Sequence, residues 1–420
     1  MGGAAGSGPQ DPAGAAGTRR PWRGRHVVLG VAGGIAAYKA VQLARDLTAL
    51  GSTVDVILTR SAREFLGPIT FEALTGRPVR TALIEPGHAL EHIRLARDAD
   101  VVCVAPATAD LIARAAHGRA DDLLTAVLLA TRAPVLLCPA MNDAMWAHRQ
   151  TQANVEHVRS RLGYRIAGPA EGALAWGEGQ GPGRMLEADQ IIEHVGRALA
   201  DGGALADRHV VVTAGPTREA VDAVRVLTNR SSGRMGFALA AAAWRRGAHV
   251  LLIAGPAITE PPCGPELVRV ETASGMADAV RDALPAADVL IMAAAVADFR
   301  PAAPVTTKLK RSQGAPSIAL EPATDVLVAT MAARPAGLVA VGFALETGAV
   351  RDEARRKLDA KGLDLIVLNR ADEPGSGFDV DTNRVVLIER GGGETDVPVQ
   401  LKTEVAEIIL DHIEARLATH

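Results

Sequence analysis

Several residues able to do chemistry stand just after short β-branched runs. Gly33-Gly34 follows His26–Val31, and two glycines at a strand end let the backbone close on a phosphate at the next helix N-terminus. The next run ends in Thr59-Arg60-Ser61, two hydroxyls and a cation, with no acidic residue placed to hold a ribose diol. That favours a phosphate-ended mononucleotide over a dinucleotide. Neither G-x-G-x-x-G nor G-x-x-x-x-G-K-[ST] follows the first run, so dinucleotide and P-loop readings are weak. Ordinary loop polarity would give the same residues. In Pro139-Ala-Met-Asn-Asp-Ala-Met-Trp146, Asn142 opens a helix with Met145 and Trp146 one turn later. The plain alternative makes Asn142 an N-cap and the Met/Trp pair core filler. His92, in Glu91-His-Ile-Arg-Leu95, is either a base or a packed histidine.

These loops need a sheet to hold them. Leu43, Leu47 and Leu50 fall at helical spacing before Gly51, and strand Thr53–Thr59 completes a β-α-β unit. Strands Asp100–Ala105 and Pro134–Cys138 each run into a Pro-containing turn. A second register starts at Arg208, with strand Val210–Thr213, helix Gly233–Arg246, and strands His249–Ala254, Asp288–Met292, Leu338–Gly342, Asp364–Leu368 and Arg384–Ile388. The alternation predicts parallel sheets covered on both faces, an α/β chain of two Rossmann-like domains. Residues 1–24 read as a disordered tail with no apolar signal region. The first domain then spans 25–197, an Ala/Gly-rich linker 198–207, and the second domain 208–420.

Composition supports that class. The 420 residues are 48% hydrophobic but only 3% aromatic, so Ala, Val and Leu must build the core. Lysine plus arginine (45) against aspartate plus glutamate (48) leaves a net charge of −3. Nothing there calls for a nucleic-acid or anionic-membrane partner. No apolar run reaches the roughly 18 residues of a membrane span. Three scattered cysteines make neither a disulfide framework nor a C-x-x-C metal pair. The expectation is a soluble, cytoplasmic protein.

Taken together, the motifs are more specific. GGIAAYK at Gly33, the histidine of HI-x-L, PATAD and PAMNxxMW occur in the order of the flavin-dependent cysteine decarboxylases, which the first half resembles. The second half resembles the phosphopantothenate–cysteine ligases through TAGPTREAVDAVRVLTNRSSGRMG, AAAVADFRPA, the K-x-K-R run at Lys308, VGFALET and KGLDLIVLN. The fused order resembles the bifunctional coenzyme A biosynthesis proteins of bacteria. That resemblance implies a flavodoxin-like flavoprotein domain followed by a nucleotide-binding ligase domain.

The implied chemistry is CTP-dependent ligation of 4′-phosphopantothenate to L-cysteine through an acyl-cytidylate, then FMN-dependent decarboxylation to 4′-phosphopantetheine. By the same resemblance, Gly33, Gly34, Thr59, Pro106 and Thr108 lie near FMN. His92 is the active-site histidine, and Asn142 with Met145 holds the substrate carboxylate. Met292, Ala293, Ala294, Asp298, Lys308, Asp325, Phe343, Lys357 and Lys361 match the CTP site, with Asp298 also placed for Mg²⁺. Arg225 and Asn229 match residues that handle the acyl intermediate. A homo-oligomer is implied, trimeric through the decarboxylase and dimeric through the ligase. One position departs from the pattern: Trp176 stands where the family has a cysteine that protonates the enethiolate, and an indole N–H only donates hydrogen bonds. Cys138, Glu178 or water are the other possible donors. Two rival readings are a ligase with a non-catalytic regulatory flavoprotein half, and an NADP-linked reductase. Retained His92 and Asn142 argue against the first, and the missing glycine fingerprints against the second.

Overall fold

The computed structural model describes residues 20–200, 202–310, 317–346, 351–370, 377 and 380–418. Residues 1–19 of the expected tail, Asp201 of the expected linker and Arg311 of the basic run lie outside them. The chain forms two compact units, Met1–Ala188 and Asp189–His420.

In the first unit, strands β1 (His26–Val31), β2 (Thr53–Leu58), β3 (Val101–Ala107), β4 (Val135–Pro139) and β5 (Arg165–Ile166) form one parallel sheet in the order β2-β1-β3-β4-β5. This is the doubly wound order of flavodoxin-like folds. β3 and β4 are buried along their whole length, so their runs are apolar without alternation. Helices α1 (Tyr38–Ala49), α2 (Pro68–Thr75), α3 (Glu91–Asp98), α4 (Ala109–Ala116), α5 (Leu123–Ala130), α6 (Asp143–Ala147) and α7 (Arg149–Ser160) make the connections. An antiparallel hairpin, β6 (Ala170–Ala173) with β7 (Gln180–Arg184), follows.

The second unit opens with α8 (Ala188–Leu199) and continues through β8 (His209–Ala214), β9 (Arg218–Ala220), β10 (Val226–Thr228), α9 (Arg234–Arg245), β11 (His249–Ala254), β12 (Glu266–Arg269) and α10 (Ala273–Ala283). Then come β13 (Val289–Met292), β14 (Phe299–Pro301), β15 (Leu320–Pro322), α11 (Val326–Thr330), β16 (Val339–Glu346), α12 (Arg351–Ala360), β17 (Leu365–Arg370), β18 (Thr382–Glu389), β19 (Glu394–Leu401) and α13 (Lys402–Leu417). Its eight-stranded sheet runs β12-β11-β8-β13-β16-β17-β18-β19. The first six strands are parallel in Rossmann order, and β18 and β19 add an antiparallel edge. One core lies under α9 and α13, and another under α10, α11 and α12.

Two expectations are corrected. Residues 20–24 are part of the first unit: Trp22 is 8% exposed and its N–H donates to Leu50 O at 3.1 Å. Burying one large indole orders a segment whose composition reads as loose. The expected linker 198–207 likewise belongs to the second unit. Ile191, Val195, Ala198 and Leu205 are all buried, and Leu205 joins the core under α9. On α8, Glu193 pairs with Arg245 at 2.5 Å, and Arg197 stacks over Trp244 while donating to the carbonyls of Trp244 and Ala248. Within the segment, buried Ala198 and Leu205 tie it to the unit, while Gly202, Gly203 and Ala204 are exposed.

The boundary can be tested by truncation. A fragment starting at Asp189 should be several kcal/mol more stable than one starting at Arg208, since each fully buried Leu, Ile or Val is worth about 1.5–3 kcal/mol. Equal denaturation midpoints for the two fragments would contradict this assignment.

Candidate active sites

In a doubly wound sheet, ligands sit beyond the carboxyl ends of the strands where the order reverses. In the first unit that point lies between β1 and β3, and their end loops are joined by Ala32 N–H donating to Pro106 O at 3.2 Å. A Cβ on Gly33 would come within 2.4 Å of Ser61, so glycine is what lets the β1 and β2 loops close together. Gly34 faces open space bounded by Thr108, and it caps the first helical turn without a side-chain hydrogen bond. Thr59 Oγ1 accepts from Ala62 N–H, and Thr108 Oγ1 caps α4 by accepting from Leu111 N–H. Gly33, Gly34, Thr59, Pro106 and Thr108 therefore gather at one sheet edge. Uncapped helix-turn N–H groups, hydroxyls and a space kept clear by glycine suit a phosphate-ended mononucleotide.

Asn142 caps the short α6, its Oδ1 accepting from Ala144 N–H at 2.9 Å. The β6–β7 hairpin folds over this turn, where Met141 N–H donates to Gly183 O at 3.0 Å. A Cβ on Gly183 would meet Met141 O at 2.2 Å. Lys39 holds the far end of the hairpin, donating to Met185 O and to Glu187 Oε1 at 2.9 and 2.7 Å. Met145 is exposed, and Trp176, at the hairpin tip, is wholly exposed.

His92 is elsewhere. It lines an apolar cavity of about 440 Å³ with Leu83, Ile84, Ala89, Ile93 and Leu129, and none of the sheet-edge residues above. Its Nδ1 is buried without a hydrogen-bond partner among the described residues. The helix that carries it is held by Glu91, which binds Arg80 and Arg94, while Arg94 also reaches Asp55 at 3.3 Å. Burial would raise the Asp55 carboxyl pKa, but His26 and Arg77 outweigh it and hold the group far below the usual range.

In the second unit, one cavity of about 550 Å³ sits at the carboxyl edge of the sheet. Met292, Ala293, Ala294, Asp298, Asp325, Phe343, Lys357 and Lys361 all line it, as does Asn229. Asn229 Nδ2 donates to Ala295 O and Val296 O at 3.2 and 3.0 Å, fixing the loop after β13. Asp325 caps α11 and pairs with Lys361 at 2.9 Å. Burial pushes its pKa up, but Lys361 and the Val328 N–H more than compensate, and the carboxylate is held low. Among the described residues, no three His, Cys, Asp or Glu side chains converge as a metal site. Also among the described residues, no helix is long and apolar enough to cross a membrane.

Lys308 and Arg225 lie outside that cavity lining. They share a second arrangement centred on Asp222, a buried residue the sequence reading passed over. Asp222 Oδ1 accepts from Val224 and Arg225 N–H at 2.8 Å each, and Oδ2 accepts from Leu309 N–H at 3.1 Å. Arg225 closes the group by donating to Asp222 Oδ2 and Leu309 O. Burial would raise the Asp222 pKa, yet these three backbone donors and the Arg225 charge hold it below the ordinary range. The group anchors the residue next to Lys308. Its sequence signal was a turn-forming aspartate two residues before its donor. Also unforeseen are Ser231, Ser232, Asn369, Asn383 and Lys402, which line the cavity. Asn369 ended the KGLDLIVLN motif, but Asn383 and Lys402 carried no local pattern.

If this arrangement aims the Lys308 segment, Asp222→Ala should lower kcat/KM for the reaction of the second unit by about 10²-fold, the usual effect of displacing a positioned group by an ångström. Native rates from a folded Asp222→Ala variant would remove Asp222 from the site.

Comparison with known proteins covers both units. Residues 16–200 match the flavoprotein family model, and residues 205–417 match the DNA/pantothenate metabolism flavoprotein C-terminal domain. The coenzyme A biosynthesis bifunctional protein CoaBC of Mycobacterium tuberculosis (strain ATCC 25618 / H37Rv) is 47% identical over 409 residues, covering 94% of this chain and 97% of the relative. CoaBC of Bacillus subtilis (strain 168) is 42% identical over 396 residues, 93% of this chain and 97% of the relative. CoaBC of Vibrio cholerae (serotype O1, strain ATCC 39315 / El Tor Inaba N16961) is 42% identical over 401 residues, 94% of this chain and 99% of the relative.

Proposed function

The chain belongs to the coenzyme A biosynthesis bifunctional proteins, with a flavoprotein decarboxylase half and a ligase half, and on that premise we propose how its residues divide the work. The second unit activates 4′-phosphopantothenate with CTP. The substrate carboxylate attacks the α-phosphate, pyrophosphate leaves, and the amine of L-cysteine then displaces CMP from the acyl-cytidylate. The observation that carries this reading is the convergence of every expected CTP residue except Lys308 on one cavity. Met292–Ala294 and Phe343 lie at the ends of β13 and within β16, where a nucleotide base would meet backbone. Lys357 and Lys361 supply positive charge one helical turn apart. Lys308, on the segment tied to Asp222 and Arg225, neutralises the developing phosphate charge. Asn229 holds the loop before Asp298 during acyl transfer. Mg²⁺ would arrive with the triphosphate and use Asp298, since this ion is usually held by one or two carboxylates plus phosphates.

The first unit decarboxylates the ligation product. FMN bound at the β1/β3 crossover supplies a two-electron oxidation, which gives the cysteinyl carboxylate an electron sink. Gly33, Gly34, Thr59, Pro106 and Thr108 hold that cofactor, Asn142 and Met145 hold the substrate carboxylate, and His92 acts at the reacting group. His92 lines a cavity apart from the other residues within one chain. That separation supports a site completed by a second copy, in line with a homo-oligomer.

Trp176 decides the outcome of the decarboxylase. It cannot supply a proton as a thiol does. Cys138 is fully buried within β4, out of a substrate's reach. Where neither Glu178 of the same hairpin nor water takes over the proton transfer, carbon dioxide release outpaces reduction, and the enethiol, two hydrogens lighter than 4′-phosphopantetheine, accumulates.

Pyrophosphate release that requires 4′-phosphopantothenate and prefers CTP to ATP tests the ligase. Equal turnover with ATP would count against the cytidylate. For the decarboxylase, mass spectrometry of a single turnover by FMN-loaded protein should show loss of CO₂ plus two hydrogens, with Trp176→Cys restoring loss of CO₂ alone. Rapid, clean 4′-phosphopantetheine from the native chain would make the Trp176 substitution neutral. His92→Asn should keep FMN and lose CO₂ release, and loss of the flavin instead would make this histidine structural.

A further inference from the structure

Two buried amide oxygens in the ligase cavity have no donor among the described residues. Asn369 stands near the end of β17, and its register partner on β18 is Val385, two residues after Asn383. The ladder is irregular between Asn383 and Val385. Both asparagines line the 550 Å³ cavity, and the Oδ1 of each is buried without a hydrogen-bond partner among the described residues. Asn383 is 1% exposed. Buried polar side-chain atoms are nearly always satisfied, so such a pair on adjacent strands marks a place where N–H donors are missing. The same cavity is lined by Gly233, Arg234 and Met235 at the start of α9. Gly233 caps that helix without a side-chain hydrogen bond, and its first turn holds no acidic residue. The start of a helix so left favours a negative group.

Amide acceptors beside an anion-favouring helix start complement a zwitterion. Of the three substrates in the ligase reading, on which this inference rests, CTP offers donors in its cytosine amine and ribose hydroxyls and 4′-phosphopantothenate in its amide and hydroxyls, but only the amino acid carries a charged N–H donor and an anion on one carbon. We propose that Asn369 and Asn383 seat the amine of the amino-acid co-substrate, with its carboxylate towards the start of α9. Amide oxygens suit this nucleophile better than carboxylates would. The amine must lose its proton before it attacks, and a carboxylate neighbour would raise its pKa and keep it charged. An uncharged acceptor binds either form. Turning the amides about would instead present N–H donors, the arrangement a polyphosphate would use. The two orientations give opposite kinetics.

Asn369→Ala and Asn383→Ala, each made in the full chain, separate them. The expected result is a KM for L-cysteine raised about 10–100-fold, the range for a hydrogen bond to a charged group. The single burst of pyrophosphate from CTP and 4′-phosphopantothenate without cysteine should keep the native dependence on CTP concentration. Asn383→Asp should tighten cysteine binding while moving the pH profile of acyl transfer to higher pH. A raised KM for CTP with slowed pyrophosphate release would overturn the proposal in favour of a polyphosphate seat. Unchanged kinetics with a lowered melting temperature would overturn it in favour of a packing role. A native chain that releases no pyrophosphate at all would remove the ligase reading, and this inference with it.

Discussion

The ligase-type unit depends on how closely α9 approaches β8. A Cβ on Gly236 would stand 2.5 Å from that of Ala214 and 2.9 Å from Thr213 O. Only glycine there allows the helix to lie against the sheet. Phe237, Leu239, Ala240, Ala242 and Ala243 then pack into the core shared with α13. The approach brings the start of α9 to the carboxyl edge of the sheet, opposite the loop after β13. Small residues replace aromatic bulk throughout this core, which is how a chain with 3% aromatic residues holds close layers. The first unit uses the same device: a Cβ on Gly30 would stand 2.5 Å from Leu124, so α5 lies directly on β1.

Much of the fold was legible because both sheets are parallel and buried on both faces. Such strands read as apolar runs bounded by glycine and proline, and the runs at His26, Val210 and His249 were placed within a residue or so of the observed strands. What failed was reading composition as looseness. Trp22 sits in a Gly/Ala/Pro-rich stretch and Leu205 in an Ala/Gly-rich one, yet both are buried. A single large side chain with a waiting site outweighs the neighbours that surround it in sequence.

The candidate sites were legible unevenly, for a topological reason. Residues that follow successive parallel strands must gather at one edge, so Met292, Ala293, Ala294, Asp298, Asp325 and Phe343 all line one cavity. Asn383 sits on an antiparallel strand and Lys402 at the start of the last helix, where no strand-end rule points to them. Asp222 acts on residues more than eighty positions away, and no local pattern reports such a contact. His92 shows the opposite limit. The motif marked it, but a single chain does not bring it into one cavity with the other residues that the resemblance groups with it, because its helix packs against α5.

The central claim is that the carboxylate is activated on the α-phosphate of CTP before the amine arrives. Heavy-oxygen label in the carboxylate of 4′-phosphopantothenate follows this directly. Attack by that carboxylate and cleavage by the amine at the acyl carbon must leave one labelled oxygen on the departing nucleotide. Mass spectrometry of a complete reaction with the native chain, CTP and L-cysteine should find that oxygen in CMP, with unlabelled pyrophosphate. Label in inorganic phosphate, with CDP as the nucleotide product, would contradict the account.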